Sequence, residues 1–114
     1  MIAVIFELEP RPGLAPRYFE LAAALKAELE AIDGLVSVER FESLTRPGRY
    51  LSLSFWRDED AVRAWRCHGM HRQAQQQGRS EVFADYRLRV ASVMRDYGLQ
   101  QREHVPSDSK AALI

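Results

Sequence analysis

Cysteine appears once in the chain, at Cys67, so no intramolecular disulfide, no CxxC redox pair and no thiolate zinc site can form within it. A reducing compartment fits that usage. Long apolar runs are also missing: nothing approaches the roughly 20 residues needed to span a bilayer. The first residues, MIAVIFELEPRP, have no basic leader, and their short apolar run is broken by Glu7. These absences lead us to expect a soluble, cytoplasmic protein with no membrane partner. Net charge is lacking too. Sixteen basic and 16 acidic residues cancel, so no global field draws nucleic acid or an anionic surface, and no nucleic-acid partner is expected. The Arg-rich second half (Arg57, Arg63, Arg66, Arg72, Arg79, Arg87, Arg89, Arg95) is interrupted by acidic residues and reads mainly as solvated surface.

The 114 residues, 46% of them hydrophobic, suit one domain. A domain this small buries only about 60 to 70% of its unfolded surface, so a second subunit covering an open sheet face would stabilise it considerably.

Alternation over Ile2 to Glu9 predicts a strand, ended by Pro10, Pro12 and Gly13. From Pro16 to Ile32, Tyr18, Leu21, Ala22, Leu25, Leu29 and Ile32 recur at helical spacing, and Asp33-Gly34 ends the helix. Leu35 to Thr45 and Tyr50 to Trp56 read as a hairpin joined by Arg46-Pro47-Gly48-Arg49. In the second of these strands Leu51, Leu53 and Phe55 share a plain apolar face, while Tyr50, Ser52, Ser54 and Trp56 make the other aromatic and hydroxylic.

Asp58 is a good N-cap for a short helix with Ala61, Val62 and Trp65 on its buried stripe. Gly69 permits a break, and a second segment, Met70 to Gln77, should end at Gly78 as a C-terminal cap. Glu81 to Met94 is a long final strand, with Tyr86, Leu88 and Val90 facing away from Phe83, Arg87 and Arg89.

Strand, helix, strand, strand, helical segment, strand is the order of two split βαβ halves. It predicts an α+β, ferredoxin-like antiparallel sheet with helices on one face. The bare face would suit a second copy in a closed two-fold dimer. Residues 1–97 should form the single domain and residues 98–114 a tail, flexible or docked on the partner subunit, with the apolar end Ala111 to Ile114 a candidate for docking.

Chemistry concentrates between Ser54 and Gly78. Trp65 lies on an apolar stripe, where an indole is either core or cavity wall. His68 and His71 are three apart and share a helical face with Gln75. No third ligand is evident and HExxH is absent, so we assign no metal. His71 could move a proton or hydrogen-bond a ligand, or simply cap and pack at the helix junction. Cys67 should be a small buried hydrophobe.

Ser54-Phe55-Trp56, then Trp65, His71, Ala74 and Gly78, then Tyr86, Arg89, Val90, Arg95 and Tyr97 resemble the antibiotic biosynthesis monooxygenase family of dimeric α+β barrels. The likeness is strong over about residues 50 to 97 and topological before that. It implies a ligand cavity between sheet and helices, homodimerisation through the sheet, and oxygenation with no metal or flavin cofactor. On that basis His71 is the candidate catalytic residue, and Trp65, Gln75, Tyr86, Trp56 and His68 are candidate substrate contacts. Arg89 and Arg95 are candidates to bridge to the partner. Two departures stand out. Quinone-forming and haem-degrading members place an asparagine in the site, and this chain has none. Haem degraders carry their ligating histidine ten residues beyond the tryptophan that matches Trp65, where this chain has Gln75.

The resemblance implies a cofactor-independent monooxygenase acting on a small aromatic molecule of phenol or hydroquinone type. The alternatives are a non-catalytic ligand-binding or stress-associated homodimer and, third, haem degradation through His68 or His71.

Overall fold

The computed structural model describes residues 1–109. Four strands form one antiparallel sheet, β1 (Ile2–Pro10), β2 (Leu35–Glu42), β3 (Tyr50–Trp56) and β4 (Phe83–Ser92), in the order β2-β3-β1-β4. Helix α1 (Ala15–Glu30) follows β1, and α2 (Glu59–Arg66) and α3 (Gly69–Gln77) lie between β3 and β4. This is the ferredoxin-like α+β fold expected from the element order. Among the described residues no helix is long and apolar enough to cross a membrane.

The register sets the faces. Val4 pairs with Ser54 and Val90, and Phe6 with Ser52 and Leu88, so these side chains share the helix side of the sheet, where Leu88 and Val90 on the edge strand stay exposed. Ile5 pairs with Leu53 and Ala3 with Phe55 on the opposite face.

Turn chemistry explains the connections. Pro16 occupies the first turn of α1. Gly34 has φ +98°, a left-handed conformation that favours glycine, and its carbonyl accepts the Arg57 N–H at 2.7 Å. A Cβ at Gly34 would also lie 2.7 Å from the Ala61 Cβ, so α2 can sit down on this turn only because the side chain is missing. Asp58 caps α2 as its sequence position predicts: Oδ1 accepts the Ala61 N–H at 2.9 Å. That bond, together with the Arg57 guanidinium, holds the Asp58 carboxyl below its usual range.

Several boundaries differ from expectation. α1 ends at Glu30 with Ala31 as its cap, so Gly34 lies in the turn beyond and does not cap the helix. β2 stops at Glu42 rather than Thr45, because Ser43 N–H already closes the loop onto the Arg49 carbonyl at 2.9 Å. Gly78 does not cap α3. Helical winding continues through it as a π-turn, Gly78–Val82, which leaves Val82 1% exposed with its carbonyl accepting Arg11 N–H at 2.7 Å. β4 therefore begins at Phe83. Beyond Ser92 the chain is irregular, with Val105 buried and a short 3-10 turn at Ser107–Ser109. The proposed docking end, Ala111 to Ile114, lies outside the described residues.

The core comes in two clusters. Leu8, Tyr18 and Val82 pack with Phe6, Tyr50 and Phe83, while Leu29, Trp56 and Ala61 pack with Val4, Val62 and Trp65. Replacing Gly34 by alanine is expected to destabilise the fold by about 1–3 kcal/mol, through backbone strain and the Ala61 clash together. Urea unfolding measures this, and an unchanged midpoint would contradict the close packing of α2 on the turn.

Candidate active site between sheet and helices

A cavity of about 720 Å³ lies between the sheet and the helices, with walls drawn from both core clusters. Its floor is the helix-facing side of the strands, including Val4, Phe6, Ser52, Ser54, Trp56, Leu88 and Val90. Leu21, Leu25 and Leu29 of α1, Val62 and Trp65 of α2, and His71 and Gln75 of α3 are among the residues facing it. Most of the wall is apolar, as in typical small-molecule sites.

Trp65, His71, Gln75, Tyr86 and Trp56 all line this one cavity. His68 does not. Its ring centroid is 5.4 Å from that of Trp65, and its Nδ1 is buried without a hydrogen-bond partner. Trp56 is 2% exposed, and its indole N–H donates to Ser54 Oγ at 2.9 Å, which satisfies a polar group that burial would otherwise strand.

The break between α2 and α3 shapes the polar end. Cys67 caps α2, His68 is non-helical, and α3 starts afresh at Gly69. The Trp65 carbonyl accepts the His68 N–H at 3.0 Å, three residues on, and also lies 3.1 Å from His71 Nδ1. A carbonyl can only accept, so Nδ1 carries the hydrogen and Nε2 keeps its lone pair. The imidazole also stacks on Trp65, with centroids 4.5 Å apart and planes at 24°. Burial lowers the His71 pKa below the usual 6.5. The carbonyl bond opposes this, and the nearby His68 and Arg72 reinforce it. Near neutral pH His71 is an uncharged base.

Other polar wall residues escaped the sequence reading. Arg40 Nε–H donates to the Tyr18 hydroxyl at 3.3 Å, and its guanidinium stands 5.9 Å from that ring's centroid. Burial raises the Tyr18 pKa above the usual 10.0, in spite of the opposing Arg40 and Ser52. The phenol stays protonated. Tyr18 had looked like one more apolar position of α1. Arg40 becomes a wall residue only through its pairing with Ser52. Phe83 also lines the cavity, although regular alternation would turn it away from Tyr86. A register shift at Glu9/Pro10 sets Phe83 against Pro10, so its ring meets Phe6 at 5.6 Å and Tyr86 at 5.9 Å.

One further expectation needs correction. Cys67 is exposed rather than buried, because it caps a helix at the surface. Arg72, 3.7 Å away, holds its thiol pKa down, helped by Arg66 and Arg63. Arg66, Arg72 and Arg79 are exposed, in line with their reading as solvated surface, and also border the cavity. Arg89 pairs with Glu7 of its own chain at 3.3 Å on the opposite face.

The fold and this cavity together define a ferredoxin-like α+β domain that holds a small-molecule pocket between its layers. A family model described as antibiotic biosynthesis monooxygenase matches residues 1–77, and the chain belongs to that family. The match takes in the first half, which the sequence motifs had linked by topology only. The jasmonate monooxygenase ABM of Pyricularia oryzae is 48% identical over 93 residues, 82% of this chain and 43% of that protein. This chain thus spans less than half of that relative's length. Uncharacterized protein YqjZ of Bacillus subtilis is 33% identical over 82 residues, covering 72% of this chain and 68% of that one. The structure of Rv0793 from Mycobacterium tuberculosis superposes with a TM-score of 0.76 at 21% identity, over 85% of this chain and 98% of that chain, a likeness of fold.

The buried histidine has a thermodynamic signature. Unfolding restores the ordinary pKa near 6.5, so below about pH 6.5 the unfolded chain binds the proton that the folded state refuses. Stability is expected to fall as pH drops through that value toward the lower folded-state one. His71→Gln should flatten this part of the curve in denaturant titrations, and an unchanged slope would contradict a neutral buried His71.

Proposed function

We propose that the chain is a cofactor-independent monooxygenase for a small, flat substrate with an acidic O–H or C–H, of phenol or hydroquinone type. The observation that carries this reading is a neutral imidazole, stacked on an indole, on the wall of a largely apolar cavity. His71 Nε2 takes the acidic proton. The resulting anion gives one electron to O₂, and the substrate radical and superoxide combine to form a C–O bond. The peroxide recovers the proton and loses water as its O–O bond breaks. At a methylene between aromatic rings, two C–H bonds are thus replaced by C=O, with one oxygen atom of O₂ in the product and the other in water. Trp65 gives the substrate a face to stack on, and the apolar walls limit water around the anion.

A second substrate reading, a jasmonate-type cyclic ketone, is favoured by the 48% identity to a protein named for jasmonate. A C–H beside a ketone suits the same base. The expected result is O₂ uptake with a panel of anthrones, hydroquinones and jasmonate, reduced roughly 10²- to 10⁴-fold in His71→Ala and declining in wild type as His71 protonates below pH 6.5. No uptake by wild type and no effect of His71→Ala would end this reading. Tight binding of the panel without turnover would favour the non-catalytic ligand-binding alternative.

The open sheet face, with Ile5, Leu51, Leu53 and Phe55, suits a second copy as partner. Light scattering after gel filtration should give twice the single-chain mass, and Leu53→Glu should give the single-chain mass. A wild-type monomer at micromolar concentration would overturn the dimer.

A further inference from the structure

Among the described residues the cavity is bordered by four exposed arginines, Arg40, Arg66, Arg72 and Arg79, and by no aspartate or glutamate. In a chain of zero net charge this is a strong local imbalance. The ion pairs found among the described residues involve Arg17, Arg49, Arg57 and Arg89, none of which lines the cavity. A neutral phenol requires no such surplus.

Among the four, Arg40 has a built setting. Its Nε–H is held by the Tyr18 hydroxyl at 3.3 Å, which leaves the terminal guanidinium nitrogens for another acceptor. Tyr18 is 6% exposed and Ser52 lines the cavity with it, so a protonated phenol and a hydroxyl accompany the guanidinium on the cavity wall. By contrast, Arg72 is turned toward Cys67 Sγ. Arg40 pairs with Ser52 on β3, four residues from Trp56, which belongs to the same core cluster as Trp65. Four residues of strand span roughly 13 Å. Arg40 thus stands about one small elongated molecule from the Trp56 end of the cavity.

We propose that the substrate is an anion, an apolar carboxylic acid whose carboxylate is held by Arg40 with Tyr18 and Ser52 while its reactive position lies toward Trp65 and His71. This rests on the cavity being the substrate site and deepens that reading by naming the substrate class and its specificity-determining residues. The carboxylate fits the planar donor fork of an arginine and can accept the remaining hydroxyl donors as well. The oxygenation itself is unchanged, because the carboxylate is not a reacting group.

Calorimetric titration of the full chain with two matched pairs, 2-naphthylacetate with its methyl ester and jasmonate with methyl jasmonate, tests this. The acid of at least one pair should bind about tenfold or more tightly than its ester. Arg40→Gln should remove that preference, Tyr18→Phe should reduce it without altering charge, and Arg57→Gln, off the cavity, should keep it. Circular dichroism establishes that each variant is folded. Equal binding of acid and ester by wild type would overturn the proposal and leave the cavity as substrate site standing. An acid preference that survives in folded Arg40→Gln would overturn the assignment of Arg40. Failure of all four compounds to bind would overturn the proposal together with the reading it rests on.

Discussion

Two aromatic-rich clusters hold the helices off the sheet, and the rest of the molecule depends on that separation. At one end Tyr18 wedges α1 against Leu8 and Val82; at the other, Trp56 carries Leu29 and Ala61. Each cluster is packed, and the cavity takes its walls from both. A sheet with smaller residues at these positions would let the helices settle, since apolar surfaces close wherever geometry allows. The bulky rings therefore both stabilise the fold and keep it partly hollow. Gly34 serves the same arrangement, because only an absent side chain lets α2 approach closely enough for Ala61 to join the Trp56 cluster.

Within this frame the break between α2 and α3 determines the chemistry. In one continuous helix the Trp65 carbonyl would be spent on a backbone N–H four residues on. The interruption at Cys67 and His68 instead has it accept the His68 N–H, three residues on, together with His71 Nδ1–H, which selects the tautomer and lays the imidazole on the indole. Burial then keeps the ring neutral. Orientation, protonation state and stacking partner thus follow from one local departure from helical geometry.

Much of this was legible in the residues. Period-2 and period-3.6 patterns located each strand and helix, and Asp58 acts at the helix terminus where its chemistry predicts, whereas α1 stops at Glu30, before Gly34. His71 and Gln75 were readable as one helical face, but His68, assigned to that face with them, stays off the cavity. What escaped was non-local. Arg40 and Ser52 belong to one site only through strand register, and Tyr18 joins them from a helix more than 20 residues earlier. Phe83 was assigned to the wrong face because a bulge breaks the alternation on which that assignment relied. Gly78 looked like a stop, yet backbone hydrogen bonding there carries on into a π-turn.

The pairing of indole and imidazole has an optical consequence. The chain has two tryptophans, Trp56 and Trp65, and both border the cavity. Essentially all of its indole emission therefore originates at the candidate site, without an added label. A charged imidazolium quenches a stacked indole more strongly than a neutral ring does, so Trp65 emission would dim as His71 takes up a proton. The protein carries its own fluorescent reporter of whether its pocket is filled and whether its base is charged.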